Sequence, residues 1–146
     1  METYYVEPEV AGGLGERTVM DRGVHPPSVK RLHYQFEGWL GDVLLESCPA
    51  FIVTEKAKEA LLGLGATGAT FDLVEVTVTD QFEELYPGRK LPPFAWLKPE
   101  GDPGRDDFGK TADGRLVVSQ RALNVLRELG ISHALVQPFE SSGDTH

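Results

Sequence analysis

The chain has a single cysteine, Cys48, in 146 residues. One thiol excludes an internal disulfide framework and any zinc site built on several thiolates. Flanked by Leu44, Leu45, Pro49, Phe51 and Ile52, it reads as a buried, inert thiol rather than a nucleophile. Long apolar runs are also missing, and the short ones present are too brief to span a bilayer. The opening METYYVEPEV lacks the basic start and apolar stretch of a secretory signal, so the expected location is the cytoplasm.

Basic side chains are scarce where acidic ones are dense. The chain holds 23 acidic and 14 basic residues, a formal net charge of -9. Between Leu32 and Gly88 ten acidic residues (Glu37, Asp42, Glu46, Glu55, Glu59, Asp72, Glu75, Asp80, Glu83, Glu84) face only Lys56 and Lys58, so this stretch carries -8 of the total. Such a field repels nucleic-acid phosphates and anionic lipids and attracts basic proteins, although acidity also serves solubility alone.

The usual catalytic motifs are absent. There is no GxxxxGK[ST] loop, and Gly12-Gly13-Leu14-Gly15 lacks the strand–turn–helix context of a phosphate cradle. No serine sits in a GxSxG elbow. The four histidines, His25, His33, His133 and His146, show no metal-binding spacing, so neither a metal nor another cofactor is expected. Asp106-Asp107-Phe108-Gly109 contains the Asp-Phe-Gly triplet that holds Mg²⁺ in protein kinases. The glycine-rich loop, strand lysine and catalytic loop of that context are missing. The stretch reads instead as a turn whose Asp side chains bond backbone N–H groups while Phe108 anchors it on the core.

What is present points to a single α+β domain over residues 1–146. Apolar residues make up 40% of the chain, enough for a core, and 16 Gly with 10 Pro predict many turns. Residues 1–30 are expected to be irregular apart from an opening strand at Tyr4 to Val10, and 141–146 to be a frayed tail. Leu32 to Phe36 alternates like a half-buried strand. A pattern then occurs twice: Phe51-Ile52-Val53-Thr54 precedes a helix-forming run to Gly63–Gly65, and Leu116-Val117-Val118-Ser119 precedes another to Gly130. Each copy has a hydroxyl residue at the N-cap and a glycine at the end. Ala57, Ala60, Leu61 and Leu64 line one helix face, and Ala122, Val125, Leu126 and Leu129 the other. The echo is either an old duplication or two ordinary capped helices that look alike. Strands are expected at Ala69 to Val78 and His133 to Phe139, and Asp80 to Gly88 reads as a short helix or turn. Phe94 to Leu97 reads as extended, and Pro99 to Gly114 as loop. The sum is a mixed, mainly antiparallel sheet with two capped helices packed on it. Tyr34, Phe36, Trp39, Phe94 and Trp96 would wall a small-molecule pocket or, more simply, form core.

The ordered series Gly41-Asp42-Val43-Leu44-Leu45-Glu46-Ser47-Cys48-Pro49, Phe51 to Glu55, Leu91-Pro92-Pro93-Phe94, Asp106 to Gly109, Leu116 to Leu123 and His133 to Phe139 carries a family resemblance. Across roughly residues 30–140 it resembles the immunity proteins of myxobacterial polymorphic toxins, of the swarming-inhibition or double-CXXCG type. The two CXXCG motifs themselves are missing here. The resemblance implies a non-catalytic protein that binds a cognate toxin; for a basic nuclease domain, an acidic face would mimic the phosphates that its cleft binds. On charge and turn position, the candidate contacts are Glu75, Asp80, Glu83 and Glu84, with Tyr86 and Trp39 as apolar anchors. The alternatives are a cytoplasmic adaptor for another basic protein and a metal-dependent enzyme.

Overall fold

The computed structural model describes residues 1–24 and 27–140, so the expected fraying at 141–146 lies outside it. Among the described residues strand accounts for 42% and helix for 19%, which makes this a sheet-dominated α+β domain. The strands form three four-stranded sheets rather than one.

The middle sheet organises the molecule. It contains β5 (Leu44–Ser47), β6 (Ala50–Thr54), β9 (Phe94–Pro99) and β7 (Ala69–Asp72), in the order β5-β6-β9-β7 and antiparallel throughout. Successive side chains of a strand point to opposite faces, and here both faces are covered. Leu44, Phe51, Val53, Ala95 and Leu97 enter one core, while Leu45, Ala50, Ile52, Phe94 and Trp96 enter another. Burial on both sides explains why β6 and β9 are nearly continuous apolar runs instead of alternating ones. Each fully buried side chain of this size contributes roughly 1.5–3 kcal/mol.

On the first face lie α1 (Glu55–Leu64), α3 (Gln120–Leu129) and a sheet of order β10-β11-β1-β12, made of β1 (Thr3–Glu7), β10 (Phe108–Lys110), β11 (Leu116–Ser119) and β12 (Leu135–Phe139). The two helices begin and end where their caps require. The Thr54 side chain accepts from the Ala57 N–H at 3.1 Å and the Ser119 side chain from the Ala122 N–H at 3.2 Å. Gly65 closes α1 at φ +73°, a left-handed conformation open to glycine. Ala57, Leu61, Ala122, Leu123 and Leu126 are buried, while Ala60, Leu64, Val125 and Leu129 are half-buried at the rim.

On the second face β4 (Ser28–Phe36) pairs with β2 (Gly12–Leu14) and β3 (Val19–Asp21) along successive stretches and runs parallel to β8 (Val74–Val78). The helix α2 (Asp80–Leu85) closes this core with buried Phe82, its first turn capped by Thr79.

Several expectations are corrected. Residues 1–30 are not irregular, because they hold β1, β2 and β3. The glycine stretch is a strand because the backbone must approach β4 closely: a Cβ at Gly12 would fall 1.9 Å from the Gln35 carbonyl oxygen. β4 is not half-exposed at His33, whose ring is buried where residues 15–18 cross over it. The Arg17 backbone N–H donates to His33 Nδ1 at 3.2 Å, so Nε2 carries the proton facing Thr77 Oγ1 at 2.7 Å. The run Ala69 to Val78 is two strands in different sheets, divided at Leu73. The loop Pro99 to Gly114 contains β10. Cys48 is exposed, because it occupies the tight turn between β5 and β6 and its apolar neighbours point into the cores without it.

Candidate functional site

The segment after β4 and the segment after α2 bring Trp39, Tyr86 and Arg89 together. The Arg89 guanidinium carbon lies 4.8 Å from the Trp39 ring centre and 5.0 Å from that of Tyr86. Arg89 Nη1 donates to the Trp39 carbonyl at 2.9 Å. Both rings are rooted in the second core, Trp39 edge-on to Phe94 at 6.0 Å and Tyr86 tilted on Phe82 at 5.1 Å. The Trp39 indole N–H donates to the Asp42 carbonyl at 2.9 Å. Neither ring is freely exposed, as an anchor on a loop would be; each is half-buried with one face given to arginine.

Beside this stack is a shallow depression of about 320 Å³ lined by Val10, Ala11, Glu37, Trp39, Leu40 and Tyr86, among others. Val10 and Leu40 are 66% and 62% exposed, and Leu85, next to Tyr86 in sequence, is 58% exposed. These large apolar side chains are in water without an evident internal role. The backbone that lines it is tied to the core. The Ala11 N–H donates to the Tyr34 hydroxyl at 3.0 Å, and that hydroxyl donates to the Glu46 carbonyl at 3.1 Å. Burial pushes the Tyr34 hydroxyl up to about 12, so it remains a neutral donor.

The predicted acidic contacts divide. Asp80, Glu83 and Glu84 are exposed on α2, and none makes an ion pair among the described residues. Asp80 and Glu83 stand in the first helical turn, where the backbone N–H groups favour negative charge. Glu75 is different. Its carboxylate is 2.5 Å from Arg17 Nη2 and 3.8 Å from Arg31 Nη2, and the Arg17 hydrogen bond holds it below the usual carboxylate range. Glu75 therefore does not belong to a free acidic face. Asp72 is likewise paired with Lys98. The density of acid read along the sequence is reduced in space by cations from distant segments.

The Asp106-Asp107 pair does not converge on a ligand. The Asp102 N–H donates to Asp106 Oδ2 at 2.7 Å and closes a turn. Asp107 is fully buried and receives Arg121, Ser119 Oγ at 2.5 Å and the Thr67 N–H at 2.8 Å. These donors, Arg121 foremost, hold its carboxyl well below the usual range. Phe108 beside it is buried, as its anchoring role requires. Tyr34, Phe36 and Phe94 are core rather than pocket walls; Trp96 is also buried in that core but its edge borders two shallow surface depressions.

Sequence spacing missed a second grouping. The fold carries His133 to Asp42, 91 residues away, and Asp42 to Glu9, 33 residues away. Nothing local in the sequence marks these three residues as neighbours. Among the described residues no helix is long and apolar enough to cross a membrane. No protein-family model, curated protein or solved structure matches the chain.

Proposed function

We propose that this chain is a non-catalytic binding protein that neutralises a basic protein partner, a toxin domain, and that it does so through the Trp39–Arg89–Tyr86 surface and α2. The observation that carries the reading is the arginine stacked on two core-rooted aromatics, beside exposed Val10 and Leu40. Tryptophan, tyrosine and arginine dominate the energetics of protein interfaces because they bury large rigid areas at little entropic cost. The exposed carboxylates of Asp80, Glu83 and Glu84, without an ion pair among the described residues, supply the charge that speeds encounter with a basic partner. Toxin as the partner rests on the family resemblance in the sequence. Under this reading the protein acts in the cytoplasm, where the exposed Cys48 thiol stays reduced.

The test is co-expression with the product of the neighbouring gene. Rescue of growth together with co-purification of a complex supports the reading. Survival without a complex replaces it with an enzymatic antidote.

A further inference from the structure

We propose that Glu9, Asp42 and His133 form a binding site for a divalent transition-metal ion of the zinc class. One donor atom from each lies within 4.8 Å of the other two. Two donors around one zinc ion stand about 3.4 Å apart when its bonds are about 2.05 Å, so a small closure completes the set. The partly exposed His133 side chain supplies that movement.

Electrostatics provides a separate argument. Glu9 is 6% exposed and Asp42 only 2%, yet neither carboxylate pairs with lysine or arginine among the described residues. Two neighbouring carboxylates removed from water need compensating positive charge. A divalent cation balances both.

The donors are already aimed. The Leu40 N–H donates to Glu9 Oε2 at 2.7 Å, and the Asp42 N–H makes only a long 3.3 Å contact with Oε1. The His133 N–H orients Asp42 Oδ2 at 2.9 Å. Such backbone bonds leave each carboxylate a lone pair for the metal, and they fix its direction as outer partners do in metal sites. His133 Nδ1 stands 2.9 Å from Asp42 Oδ1, within reach of an ion held by the two carboxylates, while Nε2 has no partner among the described residues. One imidazole with two carboxylates favours zinc, cobalt and their neighbours over Mg²⁺ and Ca²⁺, which prefer oxygen alone. The ion would tie together the connections β1–β2, β4–β5 and α3–β12.

Co²⁺ titrated into the chelator-treated full chain tests this. The expected result is one ion per chain at micromolar concentration, with visible absorption bands that Zn²⁺ abolishes and excess Mg²⁺ leaves intact. His133→Ala and Glu9→Gln each weaken uptake about tenfold or more. His25→Ala with His146→Ala leaves it unchanged. No saturable uptake below about 100 µM, uptake indifferent to both site variants, or uptake lost with His25 and His146 overturns the proposal.

Discussion

Arg121 forms a two-pronged ion pair with the buried Asp107 carboxylate, Nε 2.9 Å from Oδ1 and Nη2 2.7 Å from Oδ2. The same guanidinium reaches the carbonyls of Leu64 and Gly65 at 3.4 and 3.3 Å, occupying the open end of α1. One pair thus joins β10, α1 and α3. Asp107→Asn is expected to lower unfolding free energy by about 3 kcal/mol, because it leaves Arg121 and Ser119 facing a neutral amide. Urea denaturation measures this.

The same pair sets an acid response. The Asp107 carboxyl is depressed when folded, so its stabilisation is complete above the unfolded value of about 3.9 and is lost as pH falls toward the folded value. Stability measured as pH falls below about 3.9 should drop more steeply in the natural chain than in Asp107→Asn, with no difference in slope between neutral pH and that value. Parallel curves would remove Asp107 from the acid response.

At the proposed interface, Arg89→Ala is expected to weaken partner binding roughly thirtyfold, about 2 kcal/mol, with little change in thermal stability. Glu83→Lys with Glu84→Lys should slow association roughly tenfold and flatten its salt dependence. Surface plasmon resonance at two salt concentrations reads both. Unchanged kinetics would move the interface off α2.

Two glycines of the α1–β7 region should respond in opposite directions. Gly63 lies within α1 with nothing within 4 Å of an added Cβ, so Gly63→Ala should stabilise by about 1 kcal/mol. Gly68 has φ +80°, and its Cβ would fall 2.2 Å from the Phe108 carbonyl oxygen. Gly68→Ala should therefore cost more than about 2 kcal/mol. Melting temperatures of the pair check the sign.

Cys48 should react fully with a thiol reagent in the absence of denaturant, since it stands on an exposed turn. Slow reaction that urea accelerates would restore the buried reading.

These elements also show which features the sequence made legible. The helices α1 and α3 could be read because a cap hydroxyl, an apolar face and a terminal glycine lie within a few residues of one another. Leu73 could not be read as a break, because Phe71 to Val78 suits a strand throughout and only pairing with β9 on one side and β4 on the other divides it. Gly12 to Leu14 reads as irregular because glycine's use there is close approach, which needs a partner strand to see. Trp39 and Tyr86 could be named from composition, but Arg89 between them could not. Glu75 looked free because Arg17 and Arg31, which neutralise it, lie outside the acidic stretch. Cys48 reads as buried for a related reason: its apolar neighbours are in the cores, but the turn is not.

The position of β1 has a consequence for how the protein is made. It lies between β11 and β12, strands made far later, and the middle sheet lacks β9 until Phe94 onward has been made. A ribosome therefore delivers Val6, Phe51 and Leu61 long before the surfaces that will cover them exist. Until β11 and β12 have emerged the nascent chain must hold this apolar surface open, and this domain can finish folding only once β12 is free to pair with β1.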